Sequence, residues 1–180
     1  KDDSRSARFT PQGYELALDQ SQQALHDNNN IEWNPSLQMP ADGAIAVTVS
    51  VTPAVGGGSN SPAEVTAAGI LFDGSADGAR GRLFEVDSYG DWTLYRCDNL
   101  HDSSLGCSDL MSWSDGSSYS DGPLAPRPGS STTFHLLLIR HGRTYLLYAN
   151  GAFLTAYHDD SGPAAPGGAI GLYLDSLGYT

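Results

Sequence analysis

A chain of 180 residues with 39% hydrophobic content is long enough to bury one core, and it reads as a single domain over residues 1–180. Its formal net charge is −12, and 17 of its 21 acidic residues are Asp, a surface that repels phosphate backbones and argues against nucleic-acid partners. No run approaches the ~20 apolar residues of a membrane-spanning helix, so no membrane span is expected.

Helix is not expected either. Glu numbers four, Lys one, and no window carries a sustained stripe at i, i+3, i+4, i+7. The 21 Gly and 10 Pro fall mostly between apolar runs, the punctuation of a many-turned all-β chain. Residues 1–8 read as a linking arm, and a chain that opens Lys1-Asp2-Asp3-Ser4 without Met reads as a processed or trimmed product.

In chain order, Tyr14–Leu18 alternates and predicts a first strand. A polar insert follows to Asn30, and Ile31–Trp33 predicts a short strand stopped by Pro35. Ala44–Val51 predicts a strand closed by Pro53, and Val65–Phe72 another ending at Asp73-Gly74. Arg82–Asp87 and Trp92–Arg96 flank a short hairpin connection. The stretch from 97 to 133 is loop-rich, with a short strand at Leu110–Trp113. Phe134–Arg140 and Thr144–Ala149 turn at His141-Gly142-Arg143, and Asn150-Gly151 is a type I′ signal before Phe153–Tyr157. Ala169–Leu174 completes nine or ten strands, which must bury their apolar faces against a second layer.

Cys97 and Cys107 enclose the polar loop DNLHDSSLG. Zinc would need further Cys or His at short spacing, so the simpler reading is a disulfide, which places the protein outside the cytoplasm. In the chain-entropy model so short a closure contributes about 2–3 kcal/mol.

The block from Phe134 to Leu174 resembles the concanavalin A-like, laminin G-like jelly-roll domains of bacterial extracellular proteins. The likeness rests on Tyr148-Ala149-Asn150-Gly151 and Gly168-Ala169-Ile170-Gly171-Leu172-Tyr173. It extends to Gly69-Ile70-Leu71-Phe72, Phe84-Glu85-Val86 and Trp92–Arg96, and covers about residues 9 to 178. The resemblance implies an antiparallel two-sheet sandwich, a fold that hosts lectins, glycosidases, adhesion modules and spacers. Such domains add one further strand after Gly-Leu-Tyr, beside the N-terminal one, and this sequence stops at Thr180. A sheet edge is therefore expected to be covered by another copy or a flanking domain.

Three groups of residues invite chemistry. Glu85-Val86-Asp87 resembles the Glu-x-Asp-x-x-Glu of jelly-roll β-glucanases, with both acids on one strand face, but Gly90 replaces the last Glu. Asp73, Ser75 and Asp77 copy the first half of a Ca²⁺ loop without its closing Glu, so an acidic hairpin turn is favoured over a calcium site. Tyr89, Trp92, Trp113 and Tyr119 fall in or beside Asp- and Ser-rich turns, with Asp91, Arg96 and Asp115 as polar partners. Sugar rings stack on such aromatics while fixed polar groups hold the hydroxyls. The five His residues read as surface or satisfied groups, and no catalytic residue is assigned. The expectation is a non-enzymatic extracellular module for carbohydrate or a cell-surface partner. Its alternatives are a filament or surface subunit that self-assembles through strand exchange, and a glycoside hydrolase of the same fold.

Overall fold

The computed structural model describes residues 5–10, 13–18, 28–51, 65–77, 79–88, 90–100, 106–113, 124, 132–161 and 167–177. Twelve strands run through them: β1 (Arg5–Thr10), β2 (Gly13–Leu18), β3 (Asn28–Gln38), β4 (Asp42–Val51), β5 (Val65–Gly74), β6 (Gly81–Asp87), β7 (Trp92–Cys97), β8 (Cys107–Trp113), β9 (Thr132–His141), β10 (Thr144–Ala149), β11 (Ala152–His158) and β12 (Ala169–Leu177). No helix occurs among the described residues. The six-stranded sheet has the order β3-β12-β5-β6-β7-β8, the four-stranded sheet β11-β10-β9-β4, and β1 and β2 form a separate hairpin. All pairings are antiparallel.

The two large sheets close over one apolar interior. Ile70, Phe72, Phe84, Val86, Trp92 and Leu94 meet Phe134, Leu136, Leu138, Tyr145, Leu147 and Ala149 there. Period-two alternation is what sorts them: in β9 the pattern buries Phe134, Leu136 and Leu138 and turns His135 outward. The turns follow their residues. Asn150 and Gly151 take φ of 52° and 79°, as a type I′ turn requires, and Gly142 takes 58° between β9 and β10.

Three stretches depart from the sequence reading. Arg5–Arg8, expected within the arm of residues 1–8, belong to β1, which pairs along its length with β2. β3 runs through Pro35 instead of stopping before it, because it is an edge strand whose register slips at that point: Asn34 faces Ile170 while Gln38 faces Ala169. And β12 lies inside its sheet, hydrogen-bonded to β3 on one side and β5 on the other, so its edges are filled by this chain.

A bulge near the end of β5 sets the chemistry of one end of the sandwich. Ala169 faces Gly74 and Gly171 faces Leu71, leaving two residues of β5 opposite one of β12. Asp73, in that bulge, takes a φ of 52°, which Asp tolerates better than most side chains. Gly168 packs so closely here that a Cβ would lie 2.3 Å from the Asp73 carbonyl carbon. The bulge turns the Asp73 carboxylate between the layers. Its Oδ2 accepts from Arg82 Nη1 at 2.8 Å and from the Tyr145 hydroxyl at 2.5 Å, and its Oδ1 accepts from Arg140 Nη1 at 2.9 Å. Arg82 also pairs with Asp159, and both guanidiniums lie over the Tyr145 ring, at 5.3 and 5.6 Å from its centroid. Asp73→Ala leaves Arg140, only 2% exposed, without its carboxylate. Breaking a buried pair in this way costs about 3–5 kcal/mol, and urea unfolding of that variant should show a loss of this size.

Candidate functional site

Each large sheet has an outer face, and the two differ in what they offer a ligand. On the six-stranded sheet, cross-strand register places Asp175, Ala67 and Asp87 in one row. Tyr173, Gly69, Glu85 and Thr93 form the next, and Leu71, Leu83, Tyr95 and Asp109 a third. The sequence expectation that Glu85 and Asp87 share a face follows from the pairing. The face is closed, however: Ala67, Leu71, Leu83, Cys97, Leu100 and Tyr173 bury one another in a second apolar cluster. Leu100 comes from the loop clamped by the Cys97–Cys107 disulfide, whose cysteines pair directly across β7 and β8.

Within that cluster Glu85 keeps its proton. Burial pushes its carboxyl up to about 8, and the nearby carboxylates of Asp175, Asp87 and Asp109 add to the rise against a hydrogen bond from Tyr95. Burial also raises the hydroxyls of Tyr95 and Tyr173, each further held by an acidic neighbour. The Tyr173 hydroxyl donates to Asp175 Oδ2 at 2.8 Å.

The outer face of the four-stranded sheet is less closed: among its described residues Ala44, Ala46, Thr48, Phe153 and Ala156 are exposed, and Leu137, Ile139, Leu146 and Tyr148 are half-buried. Its central rows run Ala46, Leu137, Tyr148, Phe153 and Ala44, Ile139, Leu146, Ala156. Phe153 is 56% exposed, and its ring meets the edge of Tyr148 at 5.4 Å. A groove of about 320 Å³ runs along Tyr148, lined also by Ala46, Thr48, His135, Leu137 and Gly151, with Phe153 against the far side of Tyr148. Its polar wall is preset, because Thr48 Oγ1 and His135 Nδ1 hydrogen-bond at 3.0 Å and the His135 N–H donates to Asn150 Oδ1. Exposed rings beside fixed hydrogen-bonding groups are what a saccharide surface needs.

The residues expected from sequence to hold a ligand are dispersed. Trp92 and Trp113 face each other across β7 and β8, but both belong to the inter-sheet core, and Trp92 is 6% exposed. Trp92 lies opposite Val86 and shares its core-facing phase, so the strand's alternation overrides its place beside a turn. Asp91 sits in the β6–β7 turn, its N–H donating to Asp87 Oδ1 at 3.0 Å. Arg96 is exposed and pairs with Asp98 at 3.5 Å. Tyr89, Asp115 and Tyr119 lie outside the described residues. Of the calcium-loop trio, Asp73 turns inward to the arginines while the Ser75 hydroxyl donates to Asp77 Oδ1 at 2.5 Å. That hydroxyl, with the Ala79 N–H, holds Asp77 below its ordinary value. Among the described residues no three His, Cys, Asp or Glu side chains gather as a metal site.

Tyr148 and Phe153 were legible as strand residues but not as a surface. The available signal was that β10 is apolar in both phases, Tyr145-Leu147-Ala149 inward and Leu146-Tyr148 outward, in a sheet with only one covered face.

Comparison with solved structures places this architecture. A carbohydrate-binding module of Bacillus subtilis, CBM66, superposes with a TM-score of 0.54 at 14% identity, covering 96% of this chain and 87% of that one. A Bacillus subtilis protein of unknown function with a galectin-like fold gives 0.50 at 14%, covering 97% and 84%. The fold is a jelly-roll sandwich. No family model matches the sequence, and no curated protein does.

The Glu85 cluster makes stability depend on pH. A carboxyl whose folded value is raised binds its proton more tightly in the native state, so its contribution is full below the ordinary value of 4.5 and is lost as pH rises towards about 8. Denaturation midpoints measured from pH 4.5 to 8.5 should decline, and Glu85→Gln should flatten that decline.

Proposed function

We propose that this protein is a non-enzymatic carbohydrate-binding module working outside the cytoplasm, and that the groove on the outer face of the four-stranded sheet holds the sugar. The observation that carries the reading is the exposed Phe153 ring against the half-buried Tyr148, beside the prearranged Thr48–His135 wall. The groove's 320 Å³ matches the lower end of small-molecule sites, room for a short saccharide. The shared fold of the Bacillus subtilis carbohydrate-binding module supports this reading, and the disulfide supports an oxidising compartment. A glycan array should return hits that calorimetry confirms. Phe153→Ala should weaken binding at least about tenfold, the scale of losing one stacked ring of about 1.5 kcal/mol, while melting as the parent does. Undiminished binding by that variant and by Tyr148→Ala, whose ring lines the groove, would remove the groove from consideration.

A second reading is favoured by one feature. Glu85, protonated at neutral pH beside Asp87, has the state a glycosidic general acid requires. For a glycoside hydrolase, reducing-sugar release from β-glucans should be detectable and should vanish in Glu85→Gln. No release above buffer would dismiss catalysis.

A further inference from the structure

Four strands form the edges of the two large sheets: β3 and β8 in the six-stranded layer, β11 and β4 in the other. Bare ladder groups at an edge invite another strand, and proteins blunt them with bulges, proline or charge. Three of the four are blunted here. β3 contains Pro35 and slips register between Asn34 and Gln38. β8 holds an extra residue at Leu110, since Met111 faces Leu94 while Asp109 faces Tyr95. β11 holds one at Leu154, between the partners of Leu147 and Tyr148. β4 has none of these. It pairs one for one with β9 along its whole length, without a shift, a proline, a lysine or an arginine.

The edge left by β4 is bare in backbone and apolar in side chain. Gly142 N–H donates to the Ala41 carbonyl at 2.9 Å, and bonding alternates along an antiparallel ladder. Gly43, Ile45, Val47 and Val49 therefore bond to β9, while Asp42, Ala44, Ala46, Thr48 and Ser50 turn their N–H and C=O groups outward. Nothing among the described residues pairs with that outer row. On the inner face Ile45, Val47 and Val49 are only half-buried, whereas Leu138, Leu136 and Phe134, opposite them on β9, are buried. The interior lacks one strand's cover along this side.

We propose that β4 docks against β4 of a second copy, antiparallel about a two-fold axis at Ala46. Outward groups must meet outward groups, and centring on Ala46 is the register that uses all of them. It sets Ala44 opposite Thr48 of the other copy and Asp42 opposite Ser50, and on the inner face Ile45 opposite Val47. Asp42, the only charged residue of β4, already lies 2.6 Å from His141 Nδ1, and no like charges face each other. Two-fold pairing closes on itself, so assembly stops at a dimer. One strand pair is a small interface and each copy carries −12, so the dimer dissociates on dilution and is strengthened by salt. The pairing brings the two grooves, to which Ala46 and Thr48 contribute, onto one face of the joined sheet, and it does not depend on what fills them.

The test is sedimentation velocity on the whole chain from about 1 μM to about 1 mM, a range that spans the affinities of small interfaces. A reversible monomer–dimer equilibrium is expected, shifting towards dimer as sodium chloride is raised. Ala46→Pro removes an outward N–H that β9 does not use, so it should melt as the parent does and stay monomeric. Ala46→Asp and Ala46→Lys each set a like charge against itself across the axis. Each alone should weaken dimerisation at least about tenfold, and their equimolar mixture should restore it. The charge pair decides the register whether or not the proline variant folds. A parent that is monomeric at every concentration, growth beyond the dimer, or a mixture that associates no better than either variant alone overturns the proposal.

Discussion

The carboxylate of Asp73 accepts hydrogen bonds from Arg82, on the six-stranded sheet, and from Arg140 and Tyr145, on the four-stranded one. A charge at this depth persists only when it is paired and its lone pairs are used, which the bulge in β5 makes geometrically available. The consequence is a fixed angle and separation of the two sheets at this end, on which the apolar interlocking of Phe72, Phe134 and Leu138 then builds. Tyr145 joins both systems, since its ring packs against Phe72 while its hydroxyl serves Asp73.

The layered architecture was largely legible, because alternation in segments such as Phe134–Arg140 and Thr144–Ala149 leaves few other ways to hide leucine. The Asn150-Gly151 turn and the Cys97–Cys107 bond were legible for the same local reasons. What sequence spacing does not carry is which carboxylate meets which arginine. Asp73 looked like a metal-loop oxygen from its neighbours in sequence, yet its partners lie 9, 67 and 72 positions away. Likewise Trp92 reads as a ligand contact by its place beside a turn and as core by phase, and phase prevails.

The two outer faces divide labour in physical terms. The face of the six-stranded sheet is stacked with acids and tyrosines but sealed by leucines, so its chemistry is internal and shows itself through proton uptake. The opposite face leaves Phe153 in solvent, with Leu137, Leu146 and Tyr148 half-buried on the same face. One sheet stores its unusual groups while the other displays them.

The position of β12 bears on how the molecule comes into being. The strand made from residues 169–177 zips between β3, from the early part of the chain, and β5. Until it arrives, those two strands have no connection to each other and both present bare ladders. Assembly of this layer thus waits on a contact between distant parts of the polymer, which slows folding and lengthens the time that apolar ribs stay exposed.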